Sequence, residues 1–160
     1  MDYVIRPLTE ADEPLLWEML YQGLQTAEGE AAPSPDILQQ PQLARYVKGW
    51  GRAGDTGFVA HDAQEGKPLG AVWVRFPAGE TRKEGDEKVG TPELAFAVKR
   101  GHRRHGIGAA LLTQFVKAHP QQSLISMSVV SNNPAVRLYE RFGFKVVSES
   151  AGAVVMRRDI

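Results

Sequence analysis

One stretch, Glu93 to Phe115, limits the folds open to this chain more than any other. It begins E-L-A-F-A-V, in which Leu94, Phe96 and Val98 alternate with small residues at the period of a strand. It ends I-G-A-A-L-L-T-Q-F, where Ile107, Leu111 and Phe115 share one helical face with Leu112 and Val116 beside them. Between them, K-R-G-H-R-R-H-G carries glycine and positive charge but no apolar side chain. A strand that turns directly into a helix requires a layered architecture, with helices packed on a sheet.

The rest of the chain fits around that unit. Tyr3 to about Pro7 reads as a strand running into a helix, whose apolar stripe is Leu15, Leu16, Met19 and Leu20. Thr9 and Asp12 have capping spacing, and Asp12, just ahead of Pro14, is an equally good cap. Residues 27–36 are small, acidic and Pro-containing and mark a loop. A second helix is predicted from about Ile37 to Trp50, ended by Gly51 or Gly54. Two β-rich runs then flank a Glu65-Gly66-Lys67-Pro68 turn, forming a hairpin, and 77–88 is a mixed-charge connection.

After the central unit, S-L-I-S-M-S-V-V alternates Ile125, Met127 and Val129 with serines, another strand. N-N-P-A-V-R-L-Y-E-R-F-G-F is a helix with Ala135, Leu138 and Phe142 inward and Gly143 as a left-handed cap. Two closing strands surround Gly152. The order predicts an α/β (α+β) fold, with helices over a mixed, mostly antiparallel sheet. Its strand-to-helix turns at 98–107 and 130–135 are where such sheets bind ligands.

Composition narrows the chemistry. With no Cys among 160 residues, a disulfide framework, a thiolate zinc site and a cysteine nucleophile are excluded. His61, His102, His105 and His119 show no metal-ligand spacing with acids, so no metal is expected. The 19 basic and 19 acidic residues cancel, which argues against a general nucleic-acid or membrane binder. No apolar run approaches the ~20 residues of a membrane span, and M-D-Y-V-I-R-P lacks a secretory signal's apolar stretch. The expectation is one domain over residues 1–160, soluble and cytoplasmic.

Gly101, Gly106 and Gly108 let main-chain amides approach a ligand without Cβ interference, and the helix that follows presents unbonded N–H groups and a positive dipole end. Arg103 and Arg104 add full charge, so the turn is suited to an anion. No Gly-Lys-Ser/Thr follows, as a Walker loop would need, and the G-x-G-x-x-G spacing of dinucleotide folds is absent. The spacing Arg103-x-x-Gly106-x-Gly108-Ala109 resembles the pyrophosphate loop, Q/R-x-x-G-x-G/A, of the GNAT superfamily of acetyl-CoA-dependent N-acetyltransferases. Asn132-x-x-Ala135-x-x-Leu138-Tyr139-x-x-x-Gly143-Phe144 resembles a second motif of that superfamily. Ile5-Arg6-Pro7-x-Thr9-x-x-Asp12-x-x-x-Leu16 is similar to its usual start. Arg104 stands where Gly is often found and Arg100 where Pro is common, both at variable positions.

The resemblance implies a six- to seven-stranded sheet flanked by about four helices, with acetyl-CoA as cosubstrate. It implies that the amides of Arg104, His105, Gly106, Ile107, Gly108 and Ala109, with Arg103, hold the pyrophosphate. The strand through Phe96, Ala97 and Val98 would pair with the pantetheine arm as an added strand does. Asn132 would hydrogen-bond that arm, cap its own helix, or do both. Tyr139 occupies the place of the acid that meets the departing thiolate, unless it serves only as a core aromatic. Glu93 lies near the place of a general base, and as an exposed strand-end acid after Pro92 it equally suits no role. The superfamily often carries a bulge in this strand, so the face Glu93 occupies is open from sequence.

Trp17, Tyr21, Tyr46 and Trp50 fall on the elements that wall the acceptor pocket in this superfamily, and as aromatics on amphipathic helices they equally suit the core. The acceptor implied is a small-molecule or peptide amine; a homodimer is admitted by the resemblance but specified by no segment. The rival readings are a non-catalytic acyl-CoA-binding regulatory domain and nucleic-acid binding through Lys99, Arg100, Arg103 and Arg104. The second is disfavoured because the basic run is short and has no interleaved aromatics.

Overall fold

The central strands are apolar on both faces, so both faces must be covered, and that requirement organises the molecule. The computed structural model describes residues 3–23, 34–52, 54–75, 92–99, 106–120, 124–126, 129–130, 134–150 and 152–158. Its strands are β1 (Tyr3–Pro7), β2 (Thr56–Asp62), β3 (Pro68–Arg75), β4 (Glu93–Val98), β5 (Leu124–Ser126), β6 (Val129–Val130), β7 (Lys145–Ser150) and β8 (Ala153–Arg158). Its helices are α1 (Glu13–Gly23), the single turn α2 (Pro41–Ala44), α3 (Ile107–Ala118) and α4 (Pro134–Arg141). None of the described helices is long and apolar enough to cross a membrane.

One sheet results, running β1-β2-β3-β4-β5 and then β8. β8 lies between two neighbours, since Arg157 pairs with both Ile125 and Lys145 and Val154 with both Val129 and Glu149. β5 and β6 share one edge of β8, and from Ile125–Arg157 to Val129–Val154 the pairing advances four positions on one side and three on the other. Every described pair is antiparallel except β4 with β5.

β3 and β4 pair in unbroken register from Gly70–Val98 to Arg75–Glu93, with no bulge in β4. Alternation then assigns the faces. Val72, Val74, Leu94, Phe96 and Val98 meet Leu111, Leu112 and Phe115 of α3 and Tyr139 of α4. Ala71, Trp73, Ala95 and Ala97 meet Leu16, Met19 and Leu20 of α1 and Tyr46, Val47 and Trp50. The small alanines on this second face leave room for α1 and the Trp73 indole.

The start of α1 explains the opening motif. Asp12 accepts from the Thr9 main chain at 2.7 Å and takes both ends of the Arg6 guanidinium at 2.8 and 2.7 Å. The fork, rather than the cap alone, holds Asp12 far below the ordinary carboxylate range, at about 2. His61 accepts from Arg6 Nε at 3.0 Å and faces the Gly66 carbonyl at 2.9 Å with its other nitrogen.

The predicted helix over 37–50 is not formed. A 3-10 turn at Pro35–Gln39, capped by Ser34, is followed by α2 and then by turns. Pro41 lacks the amide that would continue the first turn, and Gly49 and Gly51 take positive φ. The remaining loop at 27–33 and the connection at 77–88 lie outside the described residues.

Candidate functional site

Two features of β4 define the site, one on each face of the sheet. On the α3 face, Gly106 is the N-cap of α3 with φ 78°, a left-handed conformation that favours glycine. It offers no side chain to the first amides of the helix, and the first helical bond runs only from Ala110 N to Gly106 O. The amides of Ile107, Gly108 and Ala109 thus have no acceptor within the helix and project from its positive end. A Cβ on Gly106 would meet no atom of the described residues within 4 Å.

Gly108 has a different reason to be glycine. A Cβ there would stand 2.6 Å from Phe96 Cζ and 3.2 Å from Leu138 Cδ2, so its absence lets α3 close onto β4. Ile107 is buried in the core. Arg103, Arg104, His105 and Asn132 lie outside the described residues.

β4 pairs with β5 only at Glu93 and Leu94. Among the described residues the ladder goes no further, and Ala95, Phe96 and Ala97 have no strand partner on this edge. Among those residues, this split leaves the β4 edge beside the N-terminus of α3.

Tyr139 packs into the same region. Its ring lies edge-on to Phe96 at 6.0 Å between centroids and against Phe144 at 5.1 Å, and the residue is 1% exposed. It is the deepest residue of α4; the expected inward set Ala135, Leu138 and Phe142 is only partly buried beside it. Burial pushes its phenol up, so it keeps its proton at any physiological pH.

On the α1 face stands Glu93. Its Oε1 accepts from Arg45 Nη1 at 2.5 Å and its Oε2 from the Tyr46 hydroxyl at 2.6 Å. Arg45 Nη2 also donates to the Tyr46 hydroxyl at 2.9 Å, and its guanidinium lies over the Tyr46 ring at 4.6 Å. Burial, followed by the bond to Glu93, pushes the Tyr46 phenol up, so it too remains a donor. Tyr139 contributes weakly to that rise.

Sequence reasoning placed Glu93, Tyr139, Gly106 and Gly108 at this site and missed Arg45. It named Tyr46 as an acceptor-wall or core aromatic, and the Tyr46 hydroxyl donates to Glu93. The one signal available was the Arg45-Tyr46 pair following α2. Trp50 is a core residue whose indole donates to the Thr9 carbonyl at 3.0 Å; Trp17 is partly buried and donates to Glu13 at 3.2 Å. Among the described residues, no three of His, Asp and Glu are grouped to hold a metal ion.

Comparison with known proteins agrees with this geometry. The family model described as "Acetyltransferase (GNAT) family" matches residues 17–144, and the chain belongs to that family. The PaiA N-acetyltransferase of Thermoplasma acidophilum, solved in complex with coenzyme A, is similar with a TM-score of 0.66 at 17% identity, over 100% of each chain. A Corynebacterium glutamicum protein described as "histone acetyltransferase HPA2 and related acetyltransferase" is similar at 0.65 and 19%, over 99% of this chain and 97% of that one. A ribosomal-protein-alanine N-acetyltransferase from Brucella melitensis is similar at 0.60 and 21%, over 98% and 99%. No curated protein matches the sequence. Mixed α+β architecture and acetyltransferase family are thereby established.

Proposed function

We propose that this protein moves the acetyl group of acetyl-CoA to a primary amine by direct attack in a ternary complex. The observation that carries the reading is the side-chain-free N-terminus of α3 beside a β4 edge that, among the described residues, has no strand partner after Leu94. The residues present suit such a molecule. The amides of Ile107, Gly108 and Ala109, and by resemblance Arg103, Arg104, His105 and Gly106, would hold its pyrophosphate. The edge of Phe96, Ala97 and Val98, with Asn132, would hold its pantetheine amides. When bound, acetyl-CoA supplies a thioester carbonyl activated toward nitrogen.

Each side of the split then has one task. A primary amine with a pKa of ~10.4 is protonated at neutral pH, and baring its lone pair costs about 4–5 kcal/mol. Glu93 accepts that proton, directly or through one water, while Arg45 and Tyr46 keep the carboxylate oriented. As the new C–N bond forms, the C–S bond breaks, its electron pair stays on sulfur, and the second proton of the nitrogen leaves to solvent. Tyr139 gives that sulfur a hydrogen bond. Even an ordinary phenol, at ~10 against ~8.5 for a thiol, transfers its proton uphill by roughly 2 kcal/mol. The raised phenol of Tyr139 makes donation without transfer the cheaper course.

The test is a melting curve followed by an acceptor panel. Acetyl-CoA at about a hundred times its dissociation constant should stabilise the fold by about 2.7 kcal/mol, raising Tm by several degrees. A panel of free amino acids, spermidine, n-butylamine and peptides with alanine N-termini or lysine side chains should then show amine-dependent thiol release. Stabilisation with no release from any amine would identify instead a non-catalytic acyl-CoA-binding domain, and an unmoved Tm would refute both.

A further inference from the structure

The α1 face holds a buried guanidinium that the proposed chemistry does not use. Arg75 is the last residue of β3, directly opposite Glu93. It is 3% exposed and lies 3.1 Å from Oδ1 of Asp55, itself 2% exposed. Its remaining donors go to main-chain carbonyls of one short segment. Nη1 donates to Arg45 O at 3.1 Å and Lys48 O at 2.8 Å, and Nη2 to Gly49 O at 3.3 Å. Trp73, two residues earlier on the same face, donates its indole N–H to Tyr46 O at 2.9 Å. Asp55 completes the frame by accepting from the amides of Gly51 and Arg52 at 3.1 and 2.9 Å.

The segment from 45 to 55 is kinked at Gly49, Gly51 and Gly54, all with positive φ. Much of its shape is therefore imposed by two side chains of β3 and by Asp55. Arg45 and Tyr46, the two residues that hold Glu93, are on it. A buried ion pair is a weak source of stability, and apolar side chains could pack a strand end as well. What arginine adds is a rigid planar fork of donors, here matched to a carboxylate and several carbonyls at once.

We propose that Arg75, held by Asp55, is a positioning residue for the reaction: it fixes the 45–49 turn so that Tyr46 and Arg45 meet Glu93, and so sets how that carboxylate faces the acceptor amine. The proposal rests on Glu93 serving the acceptor side and adds the device that aims it. Arg75 itself touches no reacting atom.

Arg75→Lys tests it, because lysine keeps a charge beside Asp55 but cannot span the carbonyls. The variant should melt cooperatively and bind acetyl-CoA as the parent does, since the α3 face is untouched. With the fastest amine of the panel, kcat/KM should fall by one to two orders of magnitude, on the order of 10–100-fold, chiefly through kcat. Adding Tyr46→Phe to Arg75→Lys should cost little more, because the carboxylate is already misaimed, whereas a purely structural role would leave the two effects additive. In the ligand-free protein, the tyrosinate absorbance assigned to Tyr46 by difference from Tyr46→Phe should move to lower pH, as the phenol loses its burial and its carboxylate. If Arg75→Lys does not fold, Arg75→Met with Asp55→Asn removes both buried charges and is measured in the same way. Additive effects with an unmoved Tyr46 titration would overturn the proposal. Parental kcat/KM in Glu93→Gln would instead remove Glu93 from the acceptor side, so the two failures are told apart.

Discussion

The two faces of β4 are built on opposite principles. On the α3 face the proposed working groups are main-chain amides, bared by Gly106 and bordered by apolar side chains such as Phe96 and Tyr139. On the α1 face they are ionised side chains, Glu93, Arg45, Arg75 and Asp55, each fixed by a named partner. A site made of backbone is as rigid as the helix that carries it and needs little support. A site made of long charged side chains is only as precise as the bonds that restrain them.

That contrast is open to breaking. The largest effect is expected from Asp55→Ala, which strands the buried Arg75 charge and should cost about 3–5 kcal/mol in urea unfolding. A loss well under 1 kcal/mol would mean that the carbonyls alone suffice for Arg75. Next comes a kinetic division between the faces. Glu93→Gln should lower turnover roughly 100-fold at neutral pH and recover as the pH approaches that of the free amine. Tyr139→Phe should lower kcat with no such recovery, because its hydrogen bond to sulfur does not depend on the amine's proton. Parallel pH profiles would erase the division of labour. Gly108→Ala probes the α3 face by shape alone: its Cβ would press on Phe96, and overpacking of this kind costs about 1–3 kcal/mol without altering the Glu93 cluster.

The smallest effect concerns the Arg6–Asp12 fork at the start of α1. A carboxyl depressed in the folded state stabilises it above the unfolded value of ~3.9 and loses that contribution as pH falls through the folded one. For Asp12 the loss falls between about 4 and about 2, and amounts to on the order of 1 kcal/mol. Asp12→Asn should remove that acid limb from the stability curve, and its persistence would assign the limb to another group.

Legibility in the sequence followed the same line. β1, β4, α3 and the β2–β3 hairpin were readable because each depends on near neighbours: a period, a cap, a turn. The α3 amide site was readable for the same reason, since a glycine N-cap between a strand and a helix is a local statement. The α1 face was not. Arg45 meets Glu93 across 48 positions and Arg75 meets Asp55 across 20, and neither pairing leaves a spacing to read. The 37–50 helix failed because Pro41 and Gly49 interrupted it and because the carbonyls it needed were taken by Trp73 and Arg75. The family's variable β4 bulge hid the face of Glu93 until the unbroken register with β3 assigned it.

The central claim is that the N-terminus of α3, capped by Gly106, receives the diphosphate of acetyl-CoA. Calorimetric titration of acetyl-CoA into three proteins tests it most directly. The parent and Glu93→Gln should bind alike, while Gly106→Trp, which puts an indole where the amides point and strains a left-handed residue, should show no binding heat. Equal affinity in Gly106→Trp would place the cofactor elsewhere and contradict the account.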